Sequence, residues 1–350
     1  MNSYRVALLP GDGIGKEVIP ASMRVLETAA SLGGFGLETQ SFDYACEHYS
    51  KTGRMMPEDA LERLRDFDSI FLGAVGYPGV PDHVSLWGLL IPIRRAFQQY
   101  VNLRPVRLLK GIASPLRDPG DIDFYIVREN NEGEYSEIGG RLYEGTEQEL
   151  AVQQTVFTRR GVDRVMRYAF ELARARNKHL TSATKSNGII HTMPFWDERL
   201  EVVSEDYPEV TTDQYHIDIL SAHFVQRPEQ FDVVVASNLF GDILSDLGPA
   251  VVGGMGVAPG GNINPEGDYP SMFEPVHGSA PDIAGQGVAN PIACIWTGAM
   301  MLEHLGEKSA ATAVLNAIEK VTEAGRTLTP DLGGSATTEQ VTDAVIAALD

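Results

Sequence analysis

Four short apolar runs in this chain each stop abruptly in glycine or in a polar cluster, and that repeated boundary limits the available folds more than any other feature. They occur in "YRVALLPGDGIG" (apolar over Val6 to Leu9), "DSIFLGAVG" (Asp68 to Gly76), "DIDFYIVRENNEG" (Asp121 to Gly133) and "FDVVVASNLFGD" (Phe231 to Asp242). Runs of this length predict buried strands. Between them lie helical patterns, clearest in "RRGVDRVMRYAFELARAR", where Val162, Val165, Met166, Ala169, Phe170 and Ala173 share one face. Strands alternating with helices predict an α/β fold. In such sheets ligands bind beyond the carboxyl ends of the strands, so chemistry is expected in the polar clusters. The C-terminal third, from "NPIACIWTGAMMLEHLG" onward, predicts helices separated by glycine-rich loops.

A chain of 350 residues with 43% hydrophobic content is long enough for one large or two medium domains. Its 28 basic and 48 acidic residues give a net charge of −20, which argues against nonspecific nucleic-acid binding. A local arginine cluster can still serve a small anionic substrate. Cys46 and Cys294 lie far apart without a CxxC or Cys/His spacing, which supports neither a disulfide framework nor a structural zinc site and fits a reducing cytoplasm. Pro10, Asp12 and the nearby glycines interrupt the first apolar run, so no signal peptide is expected. "NPIACIWTGAMML" is too short to span a bilayer. A cytoplasmic protein with no membrane partner is the expectation.

Several stretches carry candidate chemistry. "GDGIG" (Gly11 to Gly15) follows a strand and opens a helix, where backbone N–H groups favour a phosphate. Its spacing is not G-x-G-x-x-G, so the Rossmann fingerprint is not met, and a plain turn stands beside a ligand loop. Arg94 and Arg95 in "IPIRRAF" and Arg104 and Arg107 in "NLRPVR" are, taken singly, ordinary solvated arginines. Arg128 differs because it directly ends an apolar strand; two or three such forks converging would form a dicarboxylate site. Lys185 in "TKSNG" reads as a surface lysine or, crowded by cations, as a base of lowered pKa. In "HIDIL", strand alternation would put Ile217 and Ile219 on one face and Asp218 on the other.

Asp242 and Asp246 fall four residues apart in "SNLFGDILSDLG". A helix starting near Leu239 would set both on one side, where like charges repel. Helix-dipole pairing explains Asp242 better than Asp246, whereas two convergent carboxylates suit Mg²⁺ or Mn²⁺; spacing alone leaves both readings open. The loop "EPVHGSAPDIAGQGVANP" (Glu274 to Pro291) is long for a compact domain and rich in small residues. It is a nucleotide-loop candidate, in which Asp282 would accept hydrogen bonds from ribose hydroxyls and repel a 2′-phosphate.

Taken together, "LLPGDGIGKEV", "SNLFGDILSDL" and "EPVHGSAPDIAGQGVANP" resemble the β-decarboxylating dehydrogenases of (R)-2-hydroxy acids, which include isopropylmalate, isocitrate, tartrate and D-malate dehydrogenases. The match covers essentially the whole chain. It implies an isopropylmalate dehydrogenase-like α/β fold of two domains around a central cleft, binding a dinucleotide without a Rossmann domain. The larger domain would comprise residues 1–100 and 257–350; residues 101–256 would form the smaller one, with the metal ligands and the interface of a homodimer. The resemblance assigns Arg94, Arg104 and Arg128 to the substrate carboxylates. It assigns Asp218, Asp242 and Asp246 to Mg²⁺ or Mn²⁺, and Lys185 and Tyr135 ("EGEYS") to catalysis, with Asp218 and Lys185 reaching the site from the partner subunit. NAD would meet Glu274, His277, Gly278, Ser279, Ala280, Asp282, Ile283 and Asn290, and Asp282-Ile283 matches the NAD-using members. A monovalent cation such as K⁺ is a further candidate cofactor.

"HVSLWGLLIPIRRAF" (His83 to Phe97) is similar to the tartrate and D-malate branch, except that "LLIPI" at Leu89 to Ile93 replaces a segment containing a serine and a lysine. Pro92 predicts a kink or a helix start there. The expected activity is NAD- and metal-dependent oxidation and decarboxylation of tartrate or D-malate, with D-malate yielding pyruvate and CO₂. The apolar segment keeps 3-isopropylmalate or another alkylmalate as an alternative. A metal-dependent lyase without NAD and an inactive nucleotide-binding protein are the readings from other classes.

Overall fold

The computed structural model describes residues 2–349. Among the described residues twelve strands are formed: β1 (Ser3–Gly11), β2 (Gly36–Ser41), β3 (Ser69–Ala74), β4 (Val101–Arg107), β5 (Asp123–Glu129), β6 (Gly139–Leu142), β7 (Leu150–Gln153), β8 (His179–Thr184), β9 (Thr211–His216), β10 (Val233–Ala236), β11 (Gly261–Ile263) and β12 (Ser271–Phe273). The helices are α1 (Gly15–Gly33), α2 (Cys46–Thr52), α3 (Ala60–Arg65), α4 (Asp82–Ser85), α5 (Ile91–Ala96), α6 (Arg159–Ala175), α7 (Thr192–Ser204), α8 (Ile217–Gln226), α9 (Asn238–Val251), α10 (Ile292–His304), α11 (Lys308–Ala324) and α12 (Thr338–Ala348).

Ten strands make one mixed sheet in the order β2-β1-β3-β12-β11-β4-β5-β10-β8-β9; β6 and β7 form a separate hairpin. The two ends of the sheet are parallel blocks, β2-β1-β3-β12 and β5-β10-β8-β9. Antiparallel β11 and β4 join them, and the two blocks run in opposite directions. Helices cover both faces of the first block. Along β1, Val6 enters one apolar cluster while Ala7 and Leu9 enter another, and Phe71 of β3 faces away from Ile70 and Leu72 in the same way. Strands buried on both sides read as unbroken apolar runs, which is the pattern seen in the sequence.

The helices follow their periodicity. Helix α6 buries the six residues named from the sequence together with Gly161, and the Thr158 hydroxyl caps it by accepting from Gly161 N. Helix α10 is buried from Ile292 through Leu302. Among the described residues no helix is long and apolar enough to cross a membrane.

One local expectation is corrected, and one open reading is narrowed. Asp218 is not on a strand: the pairing of β9 with β8 ends at Thr184–His216, and α8 begins at Ile217. Without a neighbouring strand to bond, the backbone turns helical, and Asp218 sits in the first turn, where the helix dipole favours an acid. "GDGIG" is a structural turn. Three of its N–H groups are spent on Ala74 O (from Asp12), Ser279 O (from Ile14) and Asp12 O (from Gly15). The buried Asp12 carboxylate accepts from the N–H groups of Cys46 and Gly76, which fixes the turn to its neighbours. At Pro92 the chain is helical on both sides, with a wide π turn over Leu86–Leu90 before α5. Proline has no N–H to give to a carbonyl four residues back, and the wide turn absorbs that loss.

Candidate active site

Strand alternation sets the first side chains of the site. On β5, Phe124, Ile126 and Arg128 share one face, while Glu129 points to the other and accepts from Asn131 N and Glu132 N. The antiparallel register places Asn102 opposite Arg128 and Arg104 opposite Ile126, so all four lie on the same face. Asn262 of β11 is opposite Asn102 in turn. A row of amides results: Asn102 Nδ2 donates to Asn262 Oδ1 at 2.8 Å, and Asn130 Nδ2 donates to the same oxygen at 2.9 Å. Asn262 Nδ2 then donates to Glu274 Oε1 at 2.9 Å. Arg104 Nε donates to Asn102 Oδ1 at 2.7 Å. The site thus lies where the two blocks meet, and the carboxyl ends of β3, β5, β10 and β12 contribute Val75, Asn130, Asn238 and Glu274 to its lining.

Arg94 enters from α5 and donates to Glu274 Oε1 at 2.7 Å, with both side chains nine-tenths buried or more. Removing either would leave a buried charge uncompensated, a cost of about 3–5 kcal/mol. Helix α9 comes down on Arg128 from the other side. A Cβ on Gly241 would lie 2.6 Å from Arg128 Cβ, so only glycine permits this approach. Asn238 and Asp242, one helical turn apart, then grip one guanidinium: Asn238 Oδ1 accepts from Nε at 3.1 Å and from Nη2 at 2.7 Å, and Asp242 Oδ1 accepts from Nη1. The Tyr135 hydroxyl donates to the other oxygen of Asp242 at 2.8 Å.

These groups border a cavity of about 240 Å³. Arg94, Arg104 and Arg128 line it with Tyr135 and Asp242, and Leu86, Leu90 and Ile91 supply an apolar wall. Burial pushes the Arg104 guanidinium down to about 10 and lowers Arg128 as well. Arg94 Nε and Arg104 Nη1 are buried donors without a hydrogen-bond partner among the described residues. Buried unpaired donors on clustered cations are costly, and an anion in the cavity relieves that cost.

Burial opposes ionisation of Asp242, but Arg128, the Tyr135 hydroxyl and the other arginines outweigh it and hold the carboxyl below its usual range. Asp246, one turn further along α9, is raised by burial and by the charge of Asp242. This pair is acceptor-only, oxygen-only and mutually repelling, and it fits a hard divalent cation. Asp218 does not join it within one chain: no group of three or more His, Cys, Asp or Glu suited to a metal is gathered among the described residues. Asp218 instead accepts from Lys185 Nζ at 2.7 Å, which lowers its carboxyl. Lys185 does not line the cavity.

The Glu274–Pro291 loop packs on the start of α1. Ser279 O takes Ile14 N, and the Glu17 carboxylate accepts from Gly285 N at 2.5 Å and Gly287 N at 2.9 Å. Below the loop is a second, largely apolar cavity of about 280 Å³, bordered by Ile14, Ile283, Val288 and Asn290. His277 lines both cavities, and its buried Nε2 has no partner among the described residues. Asp282 is exposed at the outer side of the loop. Of the remaining residues expected at a cofactor, Gly278 borders the first cavity, and Ala280 takes a left-handed φ of 40°.

Sequence reasoning missed Asn102 and Asn238, which hold Arg104 and Arg128, and Asn262, which holds Asn102 and Glu274. The signals present were the alternation of Asn102 with Arg104 on β4 and the i, i+4 spacing of Asn238 and Asp242. For Asn262, paired through β11, no local signal exists.

The isocitrate/isopropylmalate dehydrogenase family model matches residues 5–345. The chain is 60% identical to the D-malate dehydrogenase [decarboxylating] of Escherichia coli strain K12, covering 99% of this chain and 98% of that protein. It is 56% identical to the tartrate dehydrogenase/decarboxylase of Pseudomonas putida, over 98% and 97% of the respective chains. Among solved structures, isocitrate dehydrogenase from Methylococcus capsulatus superposes with a TM-score of 0.88 at 35% identity, covering 99% of each chain.

Proposed function

Because the chain belongs to the isocitrate/isopropylmalate dehydrogenase family, we propose that it oxidises and decarboxylates a small (R)-2-hydroxy dicarboxylic acid, D-malate or tartrate, using NAD and Mg²⁺ or Mn²⁺. The observation that carries this reading is the convergence of Arg94, Arg104 and Arg128 on one small cavity that also holds Tyr135 and Asp242. Forked guanidinium groups bind carboxylates and fix their orientation.

Asp242 and Asp246 would hold the divalent cation, with Asp218 of a second copy of the chain as the third ligand. When bound, the cation supplies Lewis-acid stabilisation of negative charge on substrate oxygens, and NAD supplies the hydride acceptor. The arginines orient the substrate so that C2 faces the Glu274–Pro291 loop. Lys185, from the second copy, takes the hydroxyl proton as C2 is oxidised. Tyr135 delivers a proton to C3 after CO₂ has left. Burial and the neighbouring Asp242 push its phenol up to about 12, so it is protonated at neutral pH and able to donate.

Exposed apolar side chains support a dimer with shared sites. Ile219 and Val225 on α8, Leu239 and Ile243 on α9, and Leu142, Leu150 and Val152 on the β6–β7 hairpin all face outward. The division of the chain into 1–100 with 257–350 and 101–256 falls between β11 and β4 in the sheet order, beside the cavity. An exposed acid at Asp282 favours NAD, since it would repel a 2′-phosphate.

The apolar wall of Leu86, Leu90 and Ile91 favours one alternative, an alkylmalate carrying its substituent at C3. The deciding experiment is a panel of D-malate, the tartrate stereoisomers and 3-isopropylmalate with NAD and Mn²⁺, with and without K⁺, read by NADH absorbance. D-malate or tartrate should give the highest kcat/KM. About a tenfold preference for 3-isopropylmalate, 1.4 kcal/mol in transition-state binding, would reverse the assignment. No NADH from any substrate would point to the lyase class.

A further inference from the structure

Arg95 has no part in the scheme above, yet its side chain joins the two walls of the cavity. We propose that Arg95 is a positioning residue for Tyr135, a role that rests on the dehydrogenase reading and adds a component to it. Its Nη2 donates to the backbone carbonyl of Tyr135 at 2.9 Å, and its Nη1 pairs with Glu137 at 2.7 Å. The guanidinium thus clamps the tyrosine loop on either side of Ser136, and it also borders the cavity.

Helix geometry explains why this residue reaches the loop. Arg94 and Arg95 are successive on α5 and point about 100° apart, so one turns inward to Glu274 and the other toward the loop. The guanidinium also lies over the Trp87 ring, 5.2 Å from its centroid. Residues seven apart align on a regular α-helix, and the π turn at Leu86–Leu90 adds one residue, so that the pair eight apart comes into line. The wide turn that accommodates Pro92 therefore also seats Arg95 on an aromatic platform. A lysine lacks the fork needed to serve a carbonyl and a carboxylate together while stacking on a ring.

Other ties of the loop come from the hairpin, where Gln153 Nε2 donates to Ser136 O at 2.6 Å and the Ser136 hydroxyl donates to Gln154 O, and from the start of α9, where the Glu134 carboxylate accepts from the Ser237 hydroxyl at 2.8 Å and from Leu239 N at 3.0 Å. Arg95 links the Tyr135 backbone to the wall that carries Arg94, and hence to the substrate. The phenol lies at the far end of a long side chain, so a small backbone shift displaces its hydroxyl from Asp242 and from C3.

The test is a double-mutant cycle on the full-length enzyme with D-malate, NAD and Mn²⁺. Arg95→Ala should lower kcat about tenfold, with KM changed less than about twofold, because the loss is one of orientation. Arg95→Lys should recover part of it, and Glu137→Ala should give a smaller loss in the same direction without touching a buried group. In a Tyr135→Phe background, Arg95→Ala should cause no further loss. An equal loss in both backgrounds, or a raised KM with unchanged kcat, would overturn the role of Arg95 alone. An unmodified enzyme that reduces no NAD with any 2-hydroxy diacid would overturn the dehydrogenase reading and this inference with it.

Discussion

The Tyr135 hydroxyl donates to Oδ2 of Asp242 at 2.8 Å, although 107 positions separate the two residues, and the second oxygen of that carboxylate takes Arg128. The proposed proton donor, a proposed cation ligand and a proposed substrate arginine therefore meet at one carboxylate. Burial and the neighbouring Asp242 keep the phenol protonated, while Arg128 and the Tyr135 hydroxyl keep Asp242 ionised against its own burial. Neither residue has its state set by its own stretch of chain.

Tyr135→Phe keeps the ring beneath Arg128, which lies 5.7 Å from its centroid, and removes the proton. With D-malate, kcat should fall about a hundredfold with little change in KM, the usual scale for loss of a general acid. With the phenol raised to about 12, the unmodified enzyme should show no alkaline decline from this group below about pH 10. A decline below about pH 10 that Tyr135→Phe abolishes would contradict the raised phenol value, although not the role of proton donor.

Asp242→Asn should lower Mn²⁺-dependent kcat about a thousandfold, equivalent to about 4 kcal/mol of lost charge stabilisation. Asparagine still offers one oxygen to Arg128, so the chain should stay folded by circular dichroism. Activity close to that of the unmodified enzyme at saturating Mn²⁺ would remove Asp242 from the ligand set.

Asp282→Lys should narrow the preference for NAD over NADP, because the exposed acid is exchanged for a cation able to pair with a 2′-phosphate. The measurement is the ratio of kcat/KM for the two dinucleotides. A ratio that does not move would place discrimination elsewhere in the loop.

Glu129 offers a test by pH. Burial raises its carboxyl to about 7 from an ordinary value of 4.5, against the pull of the Asn131 and Glu132 N–H groups and Arg164. Between about 4.5 and about 7 the folded chain therefore binds more protons at this group than the unfolded chain. Its contribution is full below the lower value and is lost as pH rises through the upper one. Glu129→Gln removes the titration, so its Tm relative to the unmodified protein should improve from about pH 4.5 to about pH 8. A difference in Tm that is constant over that range would mean that Glu129 does not titrate there.

Much of the fold was legible in the sequence because its signals are local. The apolar runs became β1, β3, β5 and β10, and helix α6 buries the face its periodicity marked. Helix α9 starts at Asn238, within one residue of the expected start, and sets Asp242 and Asp246 one turn apart. Arg128 at a strand end lines the cavity for a local reason too, since strand alternation aimed it away from Glu129. Where local signals conflicted, the sequence misled: "HIDIL" has strand-like residues, but β8 ends beside His216 and α8 takes over.

What the sequence determined by itself was therefore the set of elements, the faces they bury and the side chains available for chemistry, since periodicity and strand alternation act over a few residues. Only the tertiary structure decided which of those side chains meet. The order of strands across the sheet brought Asn262 beside Asn102, and so Glu274 beside the arginines. The close approach at Gly241 let α9 reach Arg128, and the tyrosine loop then met Asp242. Such contacts join residues a hundred or more positions apart, and no local propensity records them, because they exist only when both halves of the sheet have packed.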